Sequence, residues 1–282
     1  MIPDLLDYDF MRRALIAAFL TGLTAPAIGT YLVQRRLALL GDGLGHVALT
    51  GVALGLLTGI APLITAVVVA TIGALVIELL RAYGRTSGDV ALAMLFYGGI
   101  AGGVLLTNLA GDSAATLQAY LFGSITTVSN TDLWIVGILG AIVLALAIGL
   151  SPQLFAVCQD EEHARVSGVP VRLYGILLAV LAAVTITVAM RTVGLLLVSA
   201  LMVVPVATAQ QVTRSFRTTF FTAMVIGLFA ALSGVVTSYE INTQTGPTIV
   251  MVALVAFALT TPLGGVIRSR RHRRLAHQLD SE

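Results

Sequence analysis

Apolar stretches long enough to cross a lipid bilayer follow one another along the sequence, and they limit the possible folds more than any other feature. A helix needs about 20 mostly apolar residues to span the hydrocarbon core. Charged residues make up only 11% of the 282 residues, whereas a soluble domain carries roughly 25%. No stretch longer than a loop has ordinary polar composition. The sequence therefore predicts an all-α, polytopic transmembrane helical bundle that forms a single domain over residues 1–282.

The apolar stretches predict about eight to ten spans. The candidates are 13–33, 37–58, 61–80, 89–109, 131–150, 172–190, 193–211, 218–238 and 247–267. Segment 114–129 is shorter and more polar, which predicts a re-entrant or interfacial helix. Very short connections at 34–36 and 191–192 leave two interpretations open. In the first, each connection is a tight turn or a broken helix, as is often found along transport paths. In the second, each is part of a long helix whose arginine extends its charged end to the membrane surface.

The positions of the basic residues predict the orientation in the membrane. All 16 are arginines. If the C-terminus is cytoplasmic and 114–129 does not span, only Arg12, Arg13 and Arg191 lie outside, and the other 13 of the 16 lie inside. The N-terminus is then outside, and its acidic start is unlike a cleavable signal peptide. The basic tail, 268–282, is predicted to anchor at lipid headgroups on the cytoplasmic side and not to bind nucleic acid.

A carboxylate and an imidazole lie one helical turn apart in the second predicted span. In the stretch 35–49, RRLALLGDGLGHVAL, Asp42 and His46 are spaced i, i+4, which places both on one face of a helix. Both residue types ligate divalent metals, and ionisable residues inside a span are usually functional. A structural hydrogen bond between the two is the other interpretation. Two ligands do not complete a metal site, so water, another helix or a second protomer must supply the rest.

The longest charged insertion between spans predicts a short amphipathic helix on the cytoplasmic side, at about 157–169. It reads QDEEHARVSGVP, and the helix is expected to end at Gly168. Asp160 and Glu161 begin the charged run, and Glu161, Ala164 and Gly168 fit a Glu-x-x-Ala-x-x-x-Gly pattern. This pattern resembles the loop that ABC permeases dock into their ATPase. A solvated loop helix is the alternative.

Missing motifs exclude several functions. Without lysine the chain cannot contain the G-x-x-x-x-G-K-[ST] phosphate-binding loop. Cys158 is the single cysteine, which excludes a disulfide framework and a cysteine-based metal cluster. There is no H-E-x-x-H, no G-x-S-x-G and no pair of carboxylates on one span. The sequence argues against an enzyme, and any ATP that drives this chain must bind to another subunit.

Four stretches, in order and spacing, resemble the permease subunits of the zinc/manganese/iron family of ABC importers. They are RRLALLGDGLGHVALTGVALG (35–55), GDVALAMLFYGGIAGGVLL (88–106), AYLFGSITTVSNTDL (119–133), and DEEHARVSGVPV (160–171) together with VGLLLVSALMVVPVATA (193–209). The resemblance covers nearly the whole chain. One departure is that this chain has Gly43 and Gly45 where the family often has Ala and Ser, which is expected to loosen the helix.

The resemblance implies roles for particular residues and partners. The residues of the family's metal path fall on Asp42 and His46, and its ATPase-coupling helix contains Asp160, Glu161, Ala164 and Gly168. It implies a permease homodimer in the bacterial cytoplasmic membrane, two ATP-binding-cassette ATPase subunits and an extracytoplasmic metal-binding protein. Zinc, manganese or iron is then the substrate, and the chain itself binds no cofactor.

Two other functions compete with that of an ABC permease. A secondary metal transporter driven by protons or sodium would need more acids inside its spans. Asp42 is the convincing mid-span acid here, because Glu78 precedes Arg81 by three residues and predicts a local ion pair. A scaffold subunit without a transport path would give a metal-independent phenotype on deletion.

Overall fold

The computed structural model describes residues 8–82, 88–111, 119–123 and 129–279. Within these residues the regular structure is helical throughout, which confirms the predicted all-α fold. We number the helices α1 (Asp9–Gln34), α2 (Leu40–Thr58), α3 (Pro62–Ala82), α4 (Gly88–Ala110), α5 (Asn130–Gly149), α6 (Ser151–Gln159), α7 (Glu161–Val166), α8 (Val171–Val193), α9 (Leu195–Val212), α10 (Phe216–Glu240) and α11 (Thr245–Leu279).

Each of the nine predicted spans corresponds to one of the long helices. Among the described residues, eight helices are long and apolar enough to cross a membrane: α1 to α5, α8, α10 and α11. The ninth, α9, has a shorter apolar part at Leu197–Val212. The prediction of about eight to ten spans is therefore confirmed. Residues 268–279 of the predicted basic tail continue α11 as helix, and 280–282 lie outside the described residues.

Helices α1, α2 and α8 form the centre of the bundle, and α4, α5 and α11 lie at its periphery. In α1, 72% of the spanning residues are buried, against 22% in α4. Small residues allow the central helices to approach closely, as is usual where lipid removes the hydrophobic drive for helix association. A Cβ added at Gly22 of α1 would lie 2.8 Å from the backbone of Leu228 in α10, so neither helix has room for a larger residue there.

Helix α5 begins with a complete capping box, and its first turn carries an exposed aromatic residue. The Ser129 hydroxyl accepts a hydrogen bond from the Asp132 N–H, and the Asp132 carboxylate accepts one from the Ser129 N–H. Trp134, the single tryptophan of the chain, is 74% exposed at this end. Such residues are typical of the interface between lipid and water, so α5 enters the bilayer near Trp134.

The connection between α8 and α9 is a true break, which decides between the two interpretations of 191–192. Gly194 separates the helices with φ +84° and ψ 151°, a conformation adopted almost exclusively by glycine. Gly123, which ends the helical turn at 119–122, packs its backbone against Gly194, and Gly246 packs against Val193 and Phe122. We call this contact of three segments the glycine junction (Gly123, Gly194 and Gly246). The rest of 114–129, apart from 129, lies outside the described residues.

The connection at 34–36 is also a break between two helices. Helix α1 ends at Gln34, and Arg36 adopts a left-handed conformation with φ 59°. The turn is compact, because the Leu37 N–H donates to the Leu32 carbonyl over 2.8 Å and the Leu40 N–H donates to the Leu37 carbonyl over 2.9 Å. Helix α2 begins only five residues after Arg35. The end of α1 and the start of α2 are thus joined by a short, hydrogen-bonded turn.

Candidate functional site

Asp42 and His46 face the same residue of the neighbouring helix α4, as their spacing predicts. Asp42 lines an open cavity of about 260 Å³ together with Phe96 and Tyr97. The half-buried His46 ring packs edge-on against Phe96, with ring centroids 4.4 Å apart and an interplanar angle of 75°. The cavity is completed by Leu39, Leu92 and Ala93. Helices α2 and α4 therefore enclose the carboxylate and the imidazole between them.

The His46 imidazole has a free nitrogen. Its Nδ1 atom is buried and has no hydrogen-bond partner among the described residues. Buried polar atoms are nearly always hydrogen-bonded, so each exception calls for an explanation. Because Nδ1 does not bond to Asp42, the structural hydrogen bond that competed with the metal interpretation is not supported at this nitrogen. This imidazole nitrogen is therefore not committed to a hydrogen bond with any of the described residues.

Glycines on α4 bring its backbone against the turn of α2 that carries His46. A Cβ at Gly99 would lie 2.6 Å from the backbone carbon of His46 and from the nitrogen of Val47. The Thr50 hydroxyl donates to the Gly99 carbonyl over 2.8 Å, which fixes the register of the two helices. Helix α2 is continuous from Leu40 to Thr58, so the glycines at 43 and 45 do not interrupt it.

The donors found in the described part of the chain do not by themselves complete a metal site. The described residues contain no group of three or more His, Cys, Asp and Glu side chains placed to hold a metal ion together. Divalent transition metals take at least four ligands in most protein sites. The described residues offer the Asp42 carboxylate and the His46 imidazole here, so further ligands would have to come from water, from a part of the chain outside the described ranges or from a second chain.

The predicted cytoplasmic helix forms, but it starts later than expected. Instead of one helix over 157–169, α6 ends at Gln159 and α7 runs over Glu161–Val166. Asp160 divides them, because its backbone is extended and its carboxylate accepts a hydrogen bond from the His163 N–H over 2.9 Å. This is the N-cap position, where Asp is strongly favoured.

The residues of the Glu-x-x-Ala-x-x-x-Gly pattern shape this helix. Gly168 has φ +83°, its N–H donates to the Arg165 carbonyl, and the Val169 N–H donates to the Ala164 carbonyl. These two bonds are the Schellman arrangement that ends a helix. Ala164 is buried, and it packs with Val157. Ala164 and Gly168 are therefore needed to fold and seat α7, whatever it contacts.

An exposed valine on α7 was not identified from the sequence. Val166 is 88% exposed, the largest exposed fraction among the large apolar side chains of the described residues. Its neighbours Arg165 and Ser167 are also exposed. An apolar residue in the longest charged insertion between spans was the available signal. An apolar side chain so exposed at the end of a short helix is suited to contact with another protein.

Ion pairs connect α7 to the membrane-spanning helices. Glu161 lies 3.5 Å from Nη2 of Arg35 and 3.9 Å from Arg165. The Arg35 side chain is only 8% exposed, and its Nη1 lies 4.0 Å from Glu78. Arg81 pairs with Glu78 at 3.0 Å, as the sequence predicted. We call these five residues the charge chain (Arg81, Glu78, Arg35, Glu161 and Arg165).

The single cysteine lies beside the charge chain and should be unreactive. Burial raises the pKa of the Cys158 thiol to about 12, although the nearby Arg35 acts in the opposite direction. At pH 7 we expect a water-soluble maleimide to modify Cys158 roughly a thousandfold more slowly than an exposed cysteine, because the thiolate is the reactive form. Ser167→Cys in a Cys158→Ser background provides the exposed comparison. Equal labelling rates would show that Cys158 is accessible and ionised.

A bundle of long apolar helices, with a carboxylate and an imidazole on one of them and charged helices at one end, has the features of a membrane transport permease. The chain belongs to the ABC 3 transport family, which it matches over residues 7–263. It is a multi-pass permease of the bacterial plasma membrane.

Named relatives cover almost the whole chain. It is 33% identical over 267 residues to the manganese transport system membrane protein MntC of Halalkalibacterium halodurans, covering 94% of this chain and 91% of that one. It is 30% identical to the manganese import system permease protein ScaB of Streptococcus gordonii, covering 92% and 93%. The solved structure of PsaBC from Streptococcus pneumoniae in complex with Fab superposes with a TM-score of 0.83 at 31% identity, covering 92% and 95%.

Proposed function

We propose that this chain is the membrane subunit of an ATP-driven importer that carries divalent transition-metal ions, with manganese as the first candidate and zinc and iron as alternatives. The observation that supports this most directly is the position of Asp42 on an open cavity. The His46 ring packs against Phe96 of the same cavity, and its Nδ1 has no hydrogen-bond partner among the described residues. The names of the relatives, MntC and ScaB, favour manganese among the three ions.

Two copies of the chain would complete the metal site. Each copy brings one carboxylate and one imidazole, so a pair facing each other across the path offers four ligands. Carboxylate oxygen and imidazole nitrogen suit several divalent ions, so geometry and supply decide which ion is carried. The cavity at Asp42 is open on one side, which leaves room for such a partner. A site of this kind binds the ion during passage and then releases it.

Helix α7 would receive the motion of a separate ATPase subunit. The capped and well-seated helix presents Val166, Glu162 and His163 as exposed side chains. These can enter a groove on a partner without unfolding the permease. An extracytoplasmic metal-binding protein would deliver the ion at the opposite end, where α10 and α11 enclose a groove of about 760 Å³ that includes Asn242 and Gln244.

The test is transport by the purified complex. The permease, the ATPase and the binding protein are reconstituted into liposomes, and uptake of Mn²⁺, Zn²⁺ and Fe²⁺ is followed with and without ATP. We expect ATP-dependent uptake of one of these ions, Mn²⁺ first, and none when the ATPase is omitted. Uptake driven by a proton or sodium gradient without ATPase would contradict the proposal and would identify a secondary transporter.

A further inference from the structure

Arg35 holds together three parts of the protein that are far apart in the sequence. It ends α1, its Nη1 faces Glu78 on α3 at 4.0 Å, and its Nη2 faces Glu161 on α7 at 3.5 Å. The guanidinium is planar and permanently charged, so its two terminal nitrogens can serve two carboxylates at once. With a side chain 8% exposed, Arg35 lies inside the protein and offers almost no surface to a partner.

Each carboxylate that Arg35 contacts is also held by another arginine. Arg81 pairs with Glu78, and Arg165 pairs with Glu161. Positive and negative groups therefore alternate along the charge chain from α3 to α7. Beside the charge chain, Nε2 of the Gln34 side chain donates a hydrogen bond to Oε1 of the Gln159 side chain over 2.6 Å. This bond connects the end of α1 to the end of α6. The end of α1 is thus fastened to both sides of Asp160.

The same residue lies just before the helix of the metal site. The hydrogen-bonded turn after Arg35 leads directly into α2, whose first turn contains Asp42. A displacement of α7 would therefore act on Arg35 through Glu161, and the short turn connects Arg35 to α2. The contact of Ala164 with Val157 holds α7 to α6, but it does not reach α2.

We propose that Arg35 is a positioning residue that couples movement of α7 to the helix carrying Asp42 and His46. This inference rests on the proposed function, in which an ATPase acts on α7. The ion pair between Arg35 and Glu161 carries the displacement, and the pair between Arg35 and Glu78 holds the guanidinium in place. Loss of the charge at Arg35 therefore disconnects ATP hydrolysis from transport without removing a metal ligand or an exposed contact.

The experiment measures Mn²⁺ taken up per ATP hydrolysed by the complete reconstituted complex. For Arg35→Gln we expect this ratio to fall about tenfold, while ATP hydrolysis stays within about threefold of the wild-type rate. Arg35→Lys keeps the charge but cannot reach both carboxylates, so its ratio should be intermediate. An unchanged ratio in Arg35→Gln would overturn the inference, and so would equal loss of ATP hydrolysis and uptake.

A second pair of variants decides the question if Arg35→Gln does not assemble. Glu161 is 50% exposed, so Glu161→Gln should be tolerated. It should lower the ratio about threefold or more, whereas Asp9→Asn, which removes an 89% exposed carboxylate at the opposite end of α1, should not. Where Arg35→Gln does assemble, the double variant with Glu161→Gln should lower the ratio by less than the product of the two single effects, since both substitutions break the pair between Arg35 and Glu161. Equal effects of Glu161→Gln and Asp9→Asn, or fully multiplied effects in the double variant, would overturn the inference.

The wild-type complex separates this inference from the proposed function. If it shows no ATP-dependent uptake of Mn²⁺, Zn²⁺ or Fe²⁺, the proposed function fails and the coupling role of Arg35 fails with it. If wild-type coupling is intact and the Arg35 and Glu161 variants keep the wild-type ratio, only the role of Arg35 is wrong.

Discussion

Replacing His46 with phenylalanine, or Asp42 with asparagine, should reduce metal uptake at least about a hundredfold. Loss of a residue that only hydrogen-bonds to a metal ligand already lowers metal affinity or activity by about 10–100-fold. Phenylalanine keeps the edge-on contact with Phe96 but has no nitrogen to offer. Asparagine keeps the shape of Asp42 and loses its charge. Each variant therefore changes the chemistry of the site and very little of its packing.

Uptake of Mn²⁺, Zn²⁺ and Fe²⁺ into liposomes measures the effect, and gel filtration of the purified complex shows whether the subunits still assemble. Asp9→Asn is the matched control. Asp9 is 89% exposed at the start of α1, and its ion pair with Arg12 lies within that helix. We expect normal uptake in the control. Wild-type uptake in both site variants would mean that Asp42 and His46 are not the metal ligands.

Substituting alanine for Gly194 should destabilise the permease by several kcal/mol. The backbone at φ +84° and ψ 151° costs about 1–3 kcal/mol for a residue with a side chain. In addition, the new Cβ would overlap with the backbone of Phe122 and Gly123, so the segment at 119–123 must move away. The glycine junction also sets the position of α9, whose Leu195 packs against Gly45 of α2.

Thermal unfolding of the purified permease in detergent measures this loss, and uptake measures its consequence. Gly246→Ala should act in the same direction, because its Cβ would overlap with the Val193 carbonyl. Gly137→Ala serves as the control, since no atom lies within 4 Å of a Cβ at that position. In the interior of α5 it should leave stability unchanged or raise it by about 0.5–1 kcal/mol. Equal thermal unfolding midpoints for Gly194→Ala and Gly137→Ala would contradict a stabilising role of the glycine junction.

The sequence predicted the spanning helices well, because length and hydropathy alone determine which segments can lie in lipid. It also predicted that Asp42 and His46 share a face, because an i, i+4 spacing depends only on helix geometry. The pairing of Glu78 with Arg81 followed for the same reason. Each of these features is local, and a single helix fixes it.

The features that the sequence did not predict depend on contacts between distant segments. Nothing near Arg35 in the sequence indicates that Glu161 lies 3.5 Å away, and nothing near Gly194 indicates that Gly123 packs on it. The break at Asp160 is different, because Asp at an N-cap was a recognisable signal for a new helix. The continuous apolar and charged pattern over 157–169 concealed it.

The exposed Trp134 at the start of α5 has a practical consequence for fluorescence. Because it is the single tryptophan and its ring is 74% exposed, the intrinsic emission of this chain comes from one place on its outer surface. Brominated lipids should quench that emission, and its wavelength should follow the hydration of nearby headgroups. A change in emission on adding metal or ATP would therefore report altered surroundings of α5. Detecting a metal ion near Asp42 and His46 would need a separately introduced probe.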